Sequence, residues 1–160
     1  MKKDKIVIIG IGNPIMGDDG VGVAVARKLS EMLPEIDVIE GSVYCADLLP
    51  FLERRTMAIF IDGIEAGEKA GSIFRFNPRE IALENNKTPL SLHEFGVSEL
   101  LAAASLTDSC PENVVVYGIQ VKNIGVGMEL SEEVERAVKK VCDLVVDEVK
   151  NYVESSESQN

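Results

Sequence analysis

Positive charge, histidine and cysteine are all scarce in this chain, and each scarcity removes a class of function. Lys and Arg number 16 against 27 Asp and Glu, a net charge of −11. That imbalance repels phosphate backbones and anionic headgroups, so neither nucleic acid nor a membrane surface is expected as a partner. No segment approaches the roughly 20 consecutive apolar residues of a membrane span. The opening MKKDK carries early lysines, but the apolar run after it is too short for a secretory core and ends in glycines, a proline and aspartates. No export is expected, and the cytoplasm is the expected compartment. Cys45, Cys110 and Cys142 are odd in number and widely spaced. They form neither a disulfide framework nor a C-x-x-C metal pair, which also fits a reducing compartment. No serine occupies a G-x-S-x-G elbow, and Cys45 has no activating context, so a serine or thiol nucleophile has no support.

What the chain does have is apolar content of 46% over 160 residues, enough for one core. One domain over residues 1–153 is expected, with a disordered polar tail at 154–160. The organising stretch is Lys5 to Gly22, KIVIIGIGNPIMGDDGVG. Its apolar start reads as a buried parallel strand. A glycine-rich loop follows, and the loop delivers Asp18 and Asp19 to the mouth of a helix. Gly12 and Gly17 have P-loop spacing, but aspartates stand where Lys and Ser/Thr belong. A phosphate cradle needs positive charge; two carboxylates there attract a cation instead.

Further along, helical spacing predicts a helix from Gly22 to Leu33, stopped by Pro34. Short strands follow at Asp37–Gly41, at Met57–Asp62 and, as an edge, at Gly71–Phe76. Tyr44–Arg54 reads as a helix interrupted by Pro50. A polar connection runs from Asn77 to Ser91, with a helical turn at Pro78–Leu83. Val97–Leu106 reads as a helix and Asn113–Gln120 as a strand. The last helix starts at its cap Ser131 and runs to about Val153 on a valine stripe. Alternating strands and helices imply an α/β fold: a three-layer αβα arrangement with a mostly parallel sheet of about five strands.

Right-handed crossovers put the first strand beside both the second and the third, so a crevice opens at the carboxyl ends of the first and third. Asp18, Asp19 and Asp62 should meet there, with the single histidine, His93, in a loop on the same edge. Two carboxylates and an imidazole make a three-ligand metal site with open positions. Plainer readings compete: a helix N-cap for Asp18 or Asp19, a turn at Asp62-Gly63, a solvated His93, and a flexible acidic loop around Glu65 and Glu68.

The run Gly10 to Gly22 resembles the G-x-G-N-x-x-x-x-D-(D or E)-G-x-G signature of the hydrogenase maturation proteases. The likeness continues through Phe60-Ile61-Asp62, His93-Glu94-Phe95-Gly96 and Gly118-Ile119-Gln120, and spans roughly Lys5 to Tyr152. The resemblance implies an endopeptidase, acting as a monomer, that removes a C-terminal extension from the large-subunit precursor of a nickel–iron hydrogenase. It carries the metal-binding and catalytic trio onto Asp19, Asp62 and His93, with nickel supplied by the precursor as the recognition element. Asp18 is then the cap or a supporting residue, and Gly10, Gly12 and Gly17 a flexible frame that lets Asp19 swing over the crevice. Two departures stand out: Asp19 where several members have Glu, and Val121 where members often have Pro. The alternative from another class is a non-catalytic nickel carrier for hydrogenase assembly.

Overall fold

The structure, a computed structural model, describes residues 3–41, 45–80 and 96–159. Tyr44, the polar connection beyond residue 80 and His93 lie outside the described residues. Five strands make one sheet: β1 (Ile6–Ile11), β2 (Asp37–Gly41), β3 (Met57–Ile64), β4 (Ile73–Phe76) and β5 (Asn113–Gln120), in the order β2-β1-β3-β5-β4. The first four in that order run parallel, and β4 is an antiparallel edge, with Ile73 opposite Ile119. Among the elements whose bounds are described, α1 (Val21–Met32), α2 (Val97–Leu106) and α3 (Glu132–Ser158) cover the sheet.

The alternation of side chains along each central strand decides the layering. Ile6 and Ile8 of β1, with Met57, Ile59 and Ile61 of β3, face α1 and α3 and meet Val25, Leu29, Val138, Val141 and Val145. Val7, Ile9 and Ile11, with Ala58 and Phe60, face the other way onto Leu48, Leu52 and α2. Every residue of β1 and β3 is buried, whereas the edge strands β2 and β4 are mostly half-exposed. Each aliphatic side chain so buried contributes on the order of 1.5–3 kcal/mol. The expected αβα layering and strand count are observed.

Three local expectations need correcting. The segment Cys45–Leu52 is a 3-10 helix and not an α-helix, because Pro50 lies inside it. Proline donates no N–H and crowds the preceding turn, while the tighter coil still lets Leu48 and Leu52 reach the core. β3 runs past Asp62 to Ile64, since β5 continues to pair with it through Gly118, Ile119 and Gln120. α3 runs past Val153 to Ser158, through most of the tail expected to be disordered. Neither glycine nor proline interrupts that tail. The Ser156 and Ser158 hydroxyls donate to the Tyr152 and Glu154 carbonyls, at 2.8 and 3.0 Å.

The connection from β1 through α1 leads to β2 on one side, and β3 lies on the other. The chain therefore diverges at the carboxyl ends of β1 and β3, the position where α/β sheets open a crevice. Because β1, β3 and β5 are mutually parallel, the loops that follow all three emerge at this one edge.

Candidate active site

The loop after β1 is held by close backbone contacts. Gly12 has φ +146°, a backbone state that side chains rarely adopt, and a Cβ there would fall 2.0 Å from the Asp19 carbonyl oxygen. Asn13 N–H closes the same contact, reaching both the carbonyl and the Oδ2 of Asp19 at 3.2 Å. At Gly22 a Cβ would lie 2.3 Å from the carbonyl oxygens of both Ile11 and Ile61. The first turn of α1 thus rests directly on the ends of β1 and β3. The glycines supply close approach of backbone to backbone. Asp19 is held there half-buried.

Asp18, its neighbour, is fully buried and does something else. Its carboxylate accepts four hydrogen bonds: from Lys122 N–H and Asn123 N–H at 2.8 and 2.9 Å, and from Ser131 N–H and the Ser131 hydroxyl at 2.7 and 2.8 Å. Burial pushes the carboxyl group up, but the N–H donors of Asn123, Ser131 and Lys122 and the Ser131 hydroxyl outweigh it, so its pKa lies below the ordinary value. Asp18 caps neither helix: it holds Ser131, the residue just before α3, and accepts from no N–H of the helix beside it. Ser131, expected to cap α3 with its own side chain, gives its hydroxyl to Asp18 instead. The Asp18 N–H also donates to Asn123 O at 2.8 Å. The loop after β1 and the loop after β5 are consequently one unit.

Asp62 sits near the end of β3, 1% exposed. The next residue, Gly63, lies against that unit: a Cβ there would meet the Asp18 carbonyl oxygen at 3.2 Å and Val21 Cγ1 at 3.3 Å. The structure therefore brings the turn that bears Asp19 onto the strand end that bears Asp62. His93, the third expected member, lies outside the described residues. Among the described residues, no three His, Cys, Asp or Glu side chains form a group able to hold a metal.

Gln120 is a residue whose role the sequence concealed. Buried at the end of β5, it accepts from Ala66 N–H and Glu68 N–H at 2.8 and 3.3 Å through Oε1. Its Nε2 donates to Glu65 Oε1 and to Val121 O, both at 2.9 Å. The acidic loop after β3, expected to be flexible, is pinned by these bonds. A glutamine ending a strand of valines was the available signal, since a buried amide needs partners for all its polar groups. The thiols described lie elsewhere: Cys142 is buried between α3 and the sheet, and Cys110 precedes β5 at the opposite edge beside Arg79. Burial raises the Cys142 pKa, which keeps it an unreactive thiol.

Comparison with known proteins gives one consistent result. The profile of the hydrogenase maturation protease family matches residues 23–148. The hydrogenase 2 maturation protease of Escherichia coli is 24% identical, across 89% of this chain and 88% of its own length. The hydrogenase expression/formation protein HupD of Rhodobacter capsulatus is 28% identical over 74% of this chain. The match covers 58% of that protein, and 62% of its Bradyrhizobium diazoefficiens counterpart. Among solved structures, a NiFe hydrogenase maturation protease from Thermococcus kodakarensis superposes with a TM-score of 0.76 at 28% identity, covering 89% of this chain and 97% of that one.

Proposed function

This chain belongs to the hydrogenase maturation protease family, and from that premise we propose that it is an endopeptidase that removes the C-terminal extension of a nickel–iron hydrogenase large-subunit precursor. The observation that carries the reading is the packing of the rigid Asp19 turn onto the end of β3 beside buried Asp62. Asp19, Asp62 and His93 are the residues assigned to the site. They contact the nickel that the precursor brings as part of the substrate, so that cleavage follows metal insertion. A carboxylate pair and an imidazole form a donor set that nickel accepts.

Hydrolysis adds one water across the peptide bond: the C–N bond breaks, hydroxyl goes to the acyl carbon and a proton to the departing amine. The precursor's metal supplies Lewis acidity, polarising a carbonyl or acidifying a water. The chain supplies position. Asp19 is fixed by Asn13 N–H and by the Gly12 contact, and Asp62 by the ladder between β3 and β5. A carboxylate held there can also take the proton released by the attacking water. Cys110 and Cys142 lie away from the end of β3 that bears Asp62.

Asp62→Asn tests the assignment, because it keeps the size of the side chain and removes its charge. Processing of nickel-loaded precursor should fall by a factor of about 100 or more, with an unchanged circular dichroism spectrum. Processing at the wild-type rate would remove Asp62 from the site.

A further inference from the structure

Four large apolar side chains are exposed on the carboxyl edge of the sheet: Ile15 at 61%, Ile124 at 54%, Val126 at 79% and Met128 at 44%. They come from two loops far apart in sequence that the backbone pairs together. Gly127 N–H donates to Ile15 O at 2.8 Å, and Gly125 N–H to Met16 O at 3.3 Å. Met16 and Met128 form an isolated parallel bridge. At its base the pair is locked by Asp18, which receives Lys122 and Asn123 N–H. The result is a short, rigid, two-segment ridge with apolar side chains facing water. Nothing in core formation requires this, since the core clusters are built from other residues. Apolar groups gathered at one place on a surface mark a site of association.

What covers the ridge follows from its position. One of its segments is the loop that carries Asp19, and the other is tied to that loop through Asp18. A chain bound at Asp19 and Asp62 therefore has the ridge as a neighbouring surface. We propose that the ridge formed by Ile15, Ile124, Val126 and Met128 is the docking surface for an apolar segment of the precursor adjoining the bond that is cut. The inference rests on the proposed function and adds to it a partner surface distinct from the carboxylates. Its rigidity matters: a surface already ordered binds without first losing conformational freedom.

The test measures binding and cleavage of nickel-loaded large-subunit precursor by wild-type protein and by Ile124→Asp/Val126→Asp. Both substituted positions are exposed, and thermal unfolding checks that the variant folds like the wild type. The expected result is binding weaker by about tenfold or more, a matching rise in KM, and kcat within about twofold. Wild-type binding and cleavage with an unaffected variant would overturn the ridge and leave the proposed function standing. A wild-type protein that neither binds nor cuts the precursor would overturn the function, and the ridge with it. Wild-type dimers that the substitutions dissociate, with precursor binding unchanged, would also overturn the proposal, because the ridge would then serve a second copy of this chain.

Discussion

The two ends of the sheet are built on different principles. At the amino edge, where β1, β3 and β5 begin, the fastenings are many, small and mostly exposed. Thr56 N–H donates to Lys5 O and Asn113 N–H to Thr56 O, at 2.8 and 3.0 Å, and the Tyr152 hydroxyl reaches Thr56 Oγ1 at 2.7 Å. Arg55 spans Asp4 O and Asp37, at 2.7 and 2.6 Å. At the carboxyl edge a few buried polar side chains each hold several segments. Asp18 binds two loops and the start of α3, and Gln120 binds the loop after β3. In the first arrangement the exposed Arg55 bonds can be lost with water taking the partner's place. The second loses everything its one member holds, and in return it fixes the site side chains within a rigid frame.

This contrast can be broken by substitution. Asp18→Ala should have the largest effect, because it strands three backbone N–H groups and a hydroxyl in a buried place. A loss of about 4 kcal/mol is expected by denaturant unfolding. Gly22→Ala comes next, at about 3 kcal/mol, since its methyl group would be driven into two strand-end carbonyls that cannot move apart cheaply. Arg55→Ala, at the amino edge, should cost only about 1 kcal/mol. An Arg55 effect as large as that of Asp18 would erase the distinction between the edges.

Tyr117, in the middle of β5, sharpens the comparison with a pH effect that belongs to neither edge. Its hydroxyl donates to Glu148 Oε2 at 3.2 Å. Burial first, and then the Glu148 carboxylate, push its pKa up to about 12. Since the folded value is raised, the stabilisation is complete below the unfolded tyrosine value of about 10 and is lost as pH rises from there towards 12. The tyrosinate absorbance of wild type minus Tyr117→Phe should therefore show a transition near 12. A transition near 10 would mean that Tyr117 is open to solvent.

Much of this was legible from the chain. The alternation within Ile6–Ile11 and Met57–Ile61 dictates two covered faces, and the order of strands and helices dictates a parallel sheet with its crevice beside β1 and β3. That the loop after β1 carries Asp18 and Asp19 to the start of α1 was legible too. What separates those neighbours was not. Asp18 meets Ser131 across 113 positions of sequence, and no local pattern encodes such a contact. The same holds for the pairing of Ile15 with Gly127, and for Gln120 with Ala66. The extent of α3 was misread for a different reason: composition marked its tail as polar, but polarity does not end a helix that has no breaker.

The proposed endopeptidase, with Asp19 and Asp62 in its site, is expected to cut only a precursor that already carries its metal. Intact-mass measurement of a hydrogenase large-subunit precursor, incubated with this protein before and after nickel insertion, tests it most directly. The expected result is a loss of mass equal to the C-terminal extension from the nickel-loaded precursor alone. Equal cleavage of both forms, or an unchanged mass for both, would contradict it.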